Sequence, residues 1–403
     1  MDSLNRLKFD FKKLYLRSME LLELYERTYS LIKVDGFEEK YLGFEQLKTY
    51  LESNFPDKKL IGKSFLGKEI YSVKLGNGPI KILAWSQMHG NESTGTRSMF
   101  DVFEFLKNNE NWSYPLLEKV TFYFIPMLNP DGATNYARRN AFGIDINRDF
   151  LQEASPEIKV LKKYVQEIKP DFLFNLHDQR TIFNVANIDK PATLSFLAPS
   201  FDLNRSINDV RIKSMSVINH MFKGLQKVIP NQVTRFSDEF YPTSTGDNFT
   251  KMGYPCILFE AGHFANDYKR IKVRKFNALA ILLALEKIAK EDNFTKGDYF
   301  EIPENNKLYL DIILRNVKVK SCDNEALTDI GIYFVENYNF EKQKLEFISR
   351  VEEIGDLSKL YGHVDVDVKG EIYQGNSSNF PKVEELADFT LGSFVFEKGI
   401  YKS

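Results

Sequence analysis

The stretch Ile80-Lys81-Ile82-Leu83-Ala84-Trp85-Ser86-Gln87-Met88-His89-Gly90-Asn91-Glu92-Ser93 decides how the chain is read. Its first six residues are an apolar run that ends as a strand. A helix is expected to start near Ser93, so His89 and Glu92 flank the turn between strand and helix. Far downstream, Asp171-Phe172-Leu173-Phe174-Asn175-Leu176 is a second apolar run, and His177 ends it. Both candidates fall at the carboxyl ends of expected strands, where open α/β sheets carry their sites. Two imidazoles and a carboxylate, with one short spacer and one long one, are a pattern in which catalytic zinc sites are often built. Such sites take three protein ligands and leave a fourth position for water.

Other blocks follow. Pro126-Met127-Leu128-Asn129-Pro130-Asp131-Gly132 comes first. Then comes Arg138-Arg139-Asn140-Ala141-Phe142-Gly143-Ile144-Asp145-Ile146-Asn147-Arg148-Asp149-Phe150. A third runs from Tyr241 to Asp247, and Pro255-Cys256-Ile257-Leu258-Phe259-Glu260 closes the set. With these in place the chain resembles the zinc carboxypeptidase family, the metallocarboxypeptidases of carboxypeptidase A type, in its bacterial-like branch. The likeness covers about residues 60 to 290. It implies a mixed, eight-stranded-type α/β sheet flanked by helices, and one zinc per chain held by His89, Glu92 and His177.

The resemblance also assigns roles. Arg148, with Asn147 beside it, would clamp a substrate carboxylate, for which a planar guanidinium fork is suited. Arg139 would polarise the scissile carbonyl, with its neighbour Arg138 as the competing candidate. Tyr241 would close over the substrate. Asp247 would either neutralise a basic side chain or cap the next helix. Asp149 and Asp178 could orient ligands from behind. His263 and His220 are expected to be structural, and His363 lies further along. Glu260 ends an apolar strand, where an unpaired carboxylate is costly to bury. A general base and acid for hydrolysis explains it better than packing does. The position between the ligands is often Arg in the family and is Asn91 here.

The function implied is hydrolysis of a peptide-like amide bond next to a free carboxylate. A murein γ-glutamyl-diaminopimelate amidase or an N-acyl amino acid deacylase is the alternative within the family. A non-catalytic peptide binder is the alternative outside it.

Composition fits this reading. The 403 residues are 43% hydrophobic, enough for a large core, and the net charge of -2 carries no footprint of a nucleic-acid or membrane partner. The amino terminus has no apolar signal region. Cys256 sits in an apolar run and Cys322 in another part of the chain, so no disulfide framework is expected and a cytoplasmic location fits.

Three parts are expected. Residues 1–58 carry amino-terminal helices, one with apolar spacing over 4–33 and one near Phe44 to Phe55. Residues 59–298 form the catalytic domain, beginning with a hairpin from Leu60 to Leu75. Its helices are expected at Ser93–Lys107, Pro156–Ile168, Ile207–Val228 and Tyr268–Lys290. Residues 299–403 read as a small, sandwich-like all-β domain.

Overall fold

The computed structural model describes residues 20–290, 293–321 and 324–402. The expected helix over 4–33 is helical at residues 20–32. Its earlier part, with Leu14, Leu16 and Met19, lies outside the described residues, as does Cys322. The chain divides into two compact units. One holds the chain up to Gln179, with Thr193–Gly262 and Lys269–Glu304. The other holds Arg180–Ala192, His263–Tyr268 and Asn305–Ser403. The β-rich unit therefore takes in two short segments from well before residue 299.

The strands of the first unit are β1 (Lys59–Lys63), β2 (Glu69–Leu75), β3 (Ile80–Trp85), β4 (Val120–Ile125) and β5 (Phe172–Asp178). After β6 (Asn184–Val185), which belongs to the other unit, come β7 (Leu194–Leu197), β8 (Val233–Arg235) and β9 (Cys256–Ala261). They form one eight-stranded sheet in the order β1-β2-β4-β3-β5-β9-β7-β8. Its centre, β4-β3-β5-β9, is parallel; β1, β2 and β7 run antiparallel to their inner neighbours. Parallel strands are covered on both faces, which is why β3, β4 and β5 read as continuous apolar runs.

On one face Leu83 and Trp85 pack with Leu161 and Val165 of helix Pro156–Ile168. On the other, Phe100 and Phe103 of helix Thr94–Asn108 meet Phe122 and Phe124 edge-on. Each such ring contributes about 1.5–3 kcal/mol by burial. The helices fall where expected, starting or ending within a few residues: Phe44–Asn54, Thr94–Asn108, Asp209–Leu225 and Ile271–Lys290. Helix Glu110–Leu117, with Pro115 inside it, was not foreseen.

A buried ion pair holds the amino-terminal segment down. Arg274 donates to both oxygens of Asp101, at 2.5 and 2.7 Å, and both side chains are fully buried. Asp101 also accepts from the Val34 N–H and the Tyr29 hydroxyl. Leaving either charge alone in such a place costs several kcal/mol, so residues 29–34 are fixed against the helical layer.

The second unit is all β. Strands β10 (Asn305–Asn306), β11 (Tyr309–Lys320), β12 (Glu325–Asn339), β13 (Lys344–Gly355) and β14 (Tyr361–Asp367) come first. β15 (Gln374–Gly375), β16 (Phe389–Leu391), β17 (Phe394–Glu397) and β18 (Ile400–Tyr401) follow. β10 pairs antiparallel with β6, and the other eight build two four-stranded sheets, β13-β12-β11-β14 and β15-β16-β17-β18. Ile312, Leu314, Ile330, Ile332 and Val351 from the first share one core with Phe389, Leu391 and Phe396 from the second. Asp311 gathers the borrowed segments: it accepts from the Tyr268 hydroxyl at 2.8 Å, the Thr181 hydroxyl at 3.3 Å and the Phe334 N–H at 2.7 Å.

Candidate metal centre

The sheet delivers its chemistry at the carboxyl ends of its central strands. β3 ends at Trp85, and the chain turns through Gln87, whose φ of 45° is left-handed. The Gln87 amide donates to the carbonyls of Leu42 and Gly90, holding that turn. Gly90 has no room for a side chain, because a Cβ would sit 2.1 Å from the backbone of Gly132 and Ala133. Asn129 completes the join: it donates to the Met88 carbonyl at 3.3 Å and accepts from the Gly132 N–H at 2.9 Å. The His89–Glu92 loop and the Asn129–Gly132 turn are thus packed backbone to backbone, and separate sequence blocks form one structure.

His89, Glu92 and His177 come together, all buried. His89 Nδ1 lies 2.9 Å from Glu92 Oε1, and His177 Nδ1 lies 2.9 Å from Glu92 Oε2. The two Nδ1 atoms are 3.1 Å apart. Ligand atoms around a tetrahedral cation with bonds of about 2.0–2.1 Å would stand roughly 3.3 Å apart. Two imidazole nitrogens and a carboxylate at nearly this spacing suit zinc in kind and in arrangement.

The surroundings set the roles of the ring nitrogens. His89 Nε2 is 3.0 Å from Asp145 Oδ1, an acceptor for a proton on this nitrogen, and the tautomer protonated there would leave Nδ1 for a metal ion. A carboxylate behind a ligating histidine fixes its tautomer and raises its basicity. Asp145 has a second task, accepting from the Asn147 N–H at 3.0 Å and so capping the short turn Ile146–Arg148. Sequence reading quoted Asp145 but gave it no role. Its one sequence signal is its place between Gly143 and Asn147.

Charges are strongly perturbed here. Burial pushes the Glu92 carboxyl up, but His89 and His177 outweigh it and hold it well below the usual range. Burial likewise opposes ionisation of Asp145, yet His89 and Arg138 keep its carboxyl low. Glu260 is shifted the other way. Burial, then the nearby Glu92 and Asp178 charges, push its carboxyl well up. Its Oε2 is buried and makes no hydrogen bond. β5 and β9 pair in parallel with His177 opposite Glu260, so imidazole and carboxyl sit side by side at the strand ends.

The arginines sort differently from expectation. Arg138, not Arg139, reaches the cluster: its Nη1 is 3.2 Å from Glu92 Oε1, and Nε and Nη2 are 3.1 and 3.0 Å from Asp145 Oδ2. Arg139 instead donates to the Gly143 carbonyl at 2.9 Å, at the surface. Of the two candidates, Arg138 is the one that lies against the cluster. Asn140 turns the loop between them, accepting from the N–H groups of Phe142 and Ile144.

Arg148 is exposed, with its guanidinium over the Tyr241 ring at 4.3 Å. Asn147 accepts from the Thr245 N–H at 3.2 Å, joining this turn to helix Thr245–Lys251. Asp247 is buried and accepts from the Tyr241 N–H at 3.1 Å. Asp178 accepts from Thr94 at 2.7 Å, while its own N–H donates to Glu92 Oε2 at 3.2 Å. Asp149 faces away, accepting from the N–H groups of Ala154 and Ser155. His220 pairs with Glu286, and the His263 and His363 rings meet at a tilt in the second unit, with centroids 4.2 Å apart.

Residues 45–186 match the zinc carboxypeptidase family. Carboxypeptidase 2 of Trichophyton equinum is 28% identical over 151 residues, 36% of this chain and 28% of that protein. Carboxypeptidase 2 of Trichophyton rubrum is 33% identical over 100 residues, 24% of this chain and 19% of its own. Each match thus spans less than a third of the relative's length. Among solved structures, carboxypeptidase A from Helicoverpa armigera superposes with a TM-score of 0.53 at 15% identity, over 68% of this chain and 81% of that one. Bovine thrombin-activatable fibrinolysis inhibitor, solved with tick carboxypeptidase inhibitor, gives 0.50 at 16% identity, over 63% and 98%. These two likenesses are of fold.

Proposed function

We propose that this chain, which carries a domain of the zinc carboxypeptidase family, is a metallocarboxypeptidase that removes a carboxy-terminal residue from a peptide-like substrate. One observation carries the reading: a three-donor cluster, His89, Glu92 and His177, beside a buried carboxylate, Glu260, that makes no bond through Oε2. A zinc ion held by the three donors would polarise the scissile carbonyl and make its bound water acidic.

The chain's own residues do the rest. Glu260, its carboxyl raised by burial, takes a proton from the attacking water and passes it to the leaving amine. Arg138 places a guanidinium where the carbonyl oxygen gains negative charge. Arg148, with Asn147, receives the terminal carboxylate, and Tyr241 covers it from the stacked position it already holds. Asp247 holds the Tyr241 turn through its backbone bond and could also meet a basic side chain.

Among the described residues no helix is long and apolar enough to cross a membrane. Cys256 is a free, buried thiol, and a cytoplasmic location remains our placement. One departure favours a second reading. Asn91 stands where a cation often grips a peptide backbone, so a smaller substrate, an N-acyl amino acid or a murein peptide, would lose less here than a long peptide.

Two substitutions test the roles. Arg148→Lys keeps the charge but loses the planar fork, and should cost about 1.5–3 kcal/mol in kcat/KM for free-acid substrates. An unchanged kcat/KM would remove Arg148 from the clamp. Arg138→Ala should lower kcat about tenfold to a hundredfold. That is less than the roughly 10²–10³ lost with a dry oxyanion donor, because the Arg138 side chain is 45% exposed. Arg139→Ala should stay within a few-fold of the parent. The reverse ranking would return the role to Arg139.

A further inference from the structure

Arg270 is buried, at 2% exposure, and lies in the same unit as the metal cluster. Its backbone is left-handed, with φ of 59°, at the entry to helix Ile271–Lys290. A non-glycine residue held there costs roughly 1 kcal/mol or more, and such strain persists only where the surroundings impose it. The side chain shows what they impose. One Nη donates to the Gln179 carbonyl at 2.6 Å, and the other donates to the carbonyls of Ala261 and Gly262.

Those acceptors have a particular place in the chain. Gln179 is two residues beyond His177, just past the end of β5. Ala261, the last residue of β9, and Gly262 directly follow Glu260. The two strands are neighbours, with His177 opposite Glu260 and Asp178 opposite Ala261. Past this point the ladder has one more bond, from the Gln179 N–H to the Ala261 carbonyl at 2.9 Å. The residues that follow, Arg180–Ala192 and His263–Tyr268, belong to the other unit.

We propose that Arg270 is a positioning residue: its guanidinium ties together the carboxyl ends of β5 and β9 and so fixes the separation of His177 and Glu260. Arginine suits the task because its planar fork offers five donors in fixed directions, so one side chain can hold carbonyls of two strands at once. It also sets a buried positive charge near two carboxyls, Asp178 and Glu260, where it favours the ionised form of each against their burial. A lysine ammonium could meet the charge but not both strands with the same geometry. The inference rests on the reading of Glu260 as the base.

The test compares the full-length, zinc-loaded protein with Arg270→Lys and Arg270→Gln. Amide hydrogen exchange at residues 177–179 and 260–262 reports the brace without reference to activity. Exchange there should quicken at least tenfold in Arg270→Gln, with Arg270→Lys between it and the parent. With the best substrate, kcat should fall at least tenfold in Arg270→Gln and KM move less than threefold, with partial recovery in Arg270→Lys. A folded Arg270→Gln with parental exchange and parental kcat overturns the brace. If the parent itself turns over nothing, the reading of Glu260 fails while exchange still decides the brace. If neither variant folds, the parent labelled with 15N-arginine decides. Nη protons of Arg270 that exchange over hours support it, and exchange within milliseconds overturns it.

Discussion

Glu260→Gln should keep its zinc and lose at least about a hundredfold in single-turnover hydrolysis, and up to about 10⁴, the range for removing a general acid–base group. The substitution preserves shape and one acceptor oxygen but abolishes the basic carboxylate. Metal content should not change, since Glu260 is outside the three-donor cluster. Stability should hold or rise. The Glu260 carboxyl is pushed up by burial and by Glu92 and Asp178. A carboxyl raised in the folded state stabilises the fold when protonated and loses that contribution as pH rises through its folded pKa. Wherever the carboxyl is ionised that form is a liability, which a neutral amide removes. A metal-loaded variant that cleaves within a few-fold of its parent would end the assignment of Glu260 as the base.

The second large effect belongs to the metal. His177→Ala removes one of three donors whose atoms stand 2.9–3.1 Å apart. Losing an outer partner of a ligating histidine costs about 10–100-fold in metal affinity. Losing the ligand itself should cost more, so zinc should fall from about one per chain to well below stoichiometric after dialysis. Asp145→Asn is the graded comparison. It leaves all three donors but weakens the bond to His89 Nε2, and should stay within that 10–100-fold range. Stoichiometric zinc in His177→Ala, read by elemental analysis, would mean that the ligand set is wrong. Turnover in both variants should track zinc occupancy.

Much of this site was legible in the sequence for one physical reason. Central parallel strands are buried on both faces, so β3, β5 and β9 stand out as apolar runs. A His or Glu at their ends has no packing role to explain it. Spacing could not separate Arg138 from Arg139. Both flank the same loop, and the choice depends on how Asn140 and Gly143 turn it, which sends one guanidinium to Asp145 and the other to the Gly143 carbonyl. Asp145 went unassigned because its partner, His89, is 56 residues away. Arg270 gave no signal at all, since its acceptors are backbone carbonyls and leave no mark on residue identity.

The fold shows the same division. The hairpin β1–β2 and the long helices follow from local pattern and turn chemistry. Helix Glu110–Leu117 was hidden by a polar string and by Pro115, which reads as a breaker. A boundary near residue 299 follows from the change to short β runs, and β10 to β18 do lie beyond it. That Arg180–Ala192 and His263–Tyr268 join that unit is a long-range fact. It depends on bonds such as those to Asp311, and a lone aspartate in a β run does not announce which distant loops it will hold.

The central claim is metal-dependent cleavage next to a free carboxylate. The most direct measurement incubates the zinc-loaded chain with peptides as free acids and as carboxy-terminal amides, alongside N-acyl amino acids and a murein peptide, and reads products by mass. The account predicts release of a single terminal residue from free acids, little from amides, loss of activity on chelation and recovery with zinc. Preferred turnover of the acyl amino acids or the murein peptide would move the chain to the amidase reading with the same residues. Equal cleavage of acid and amide, or cleavage indifferent to chelation, would contradict the account.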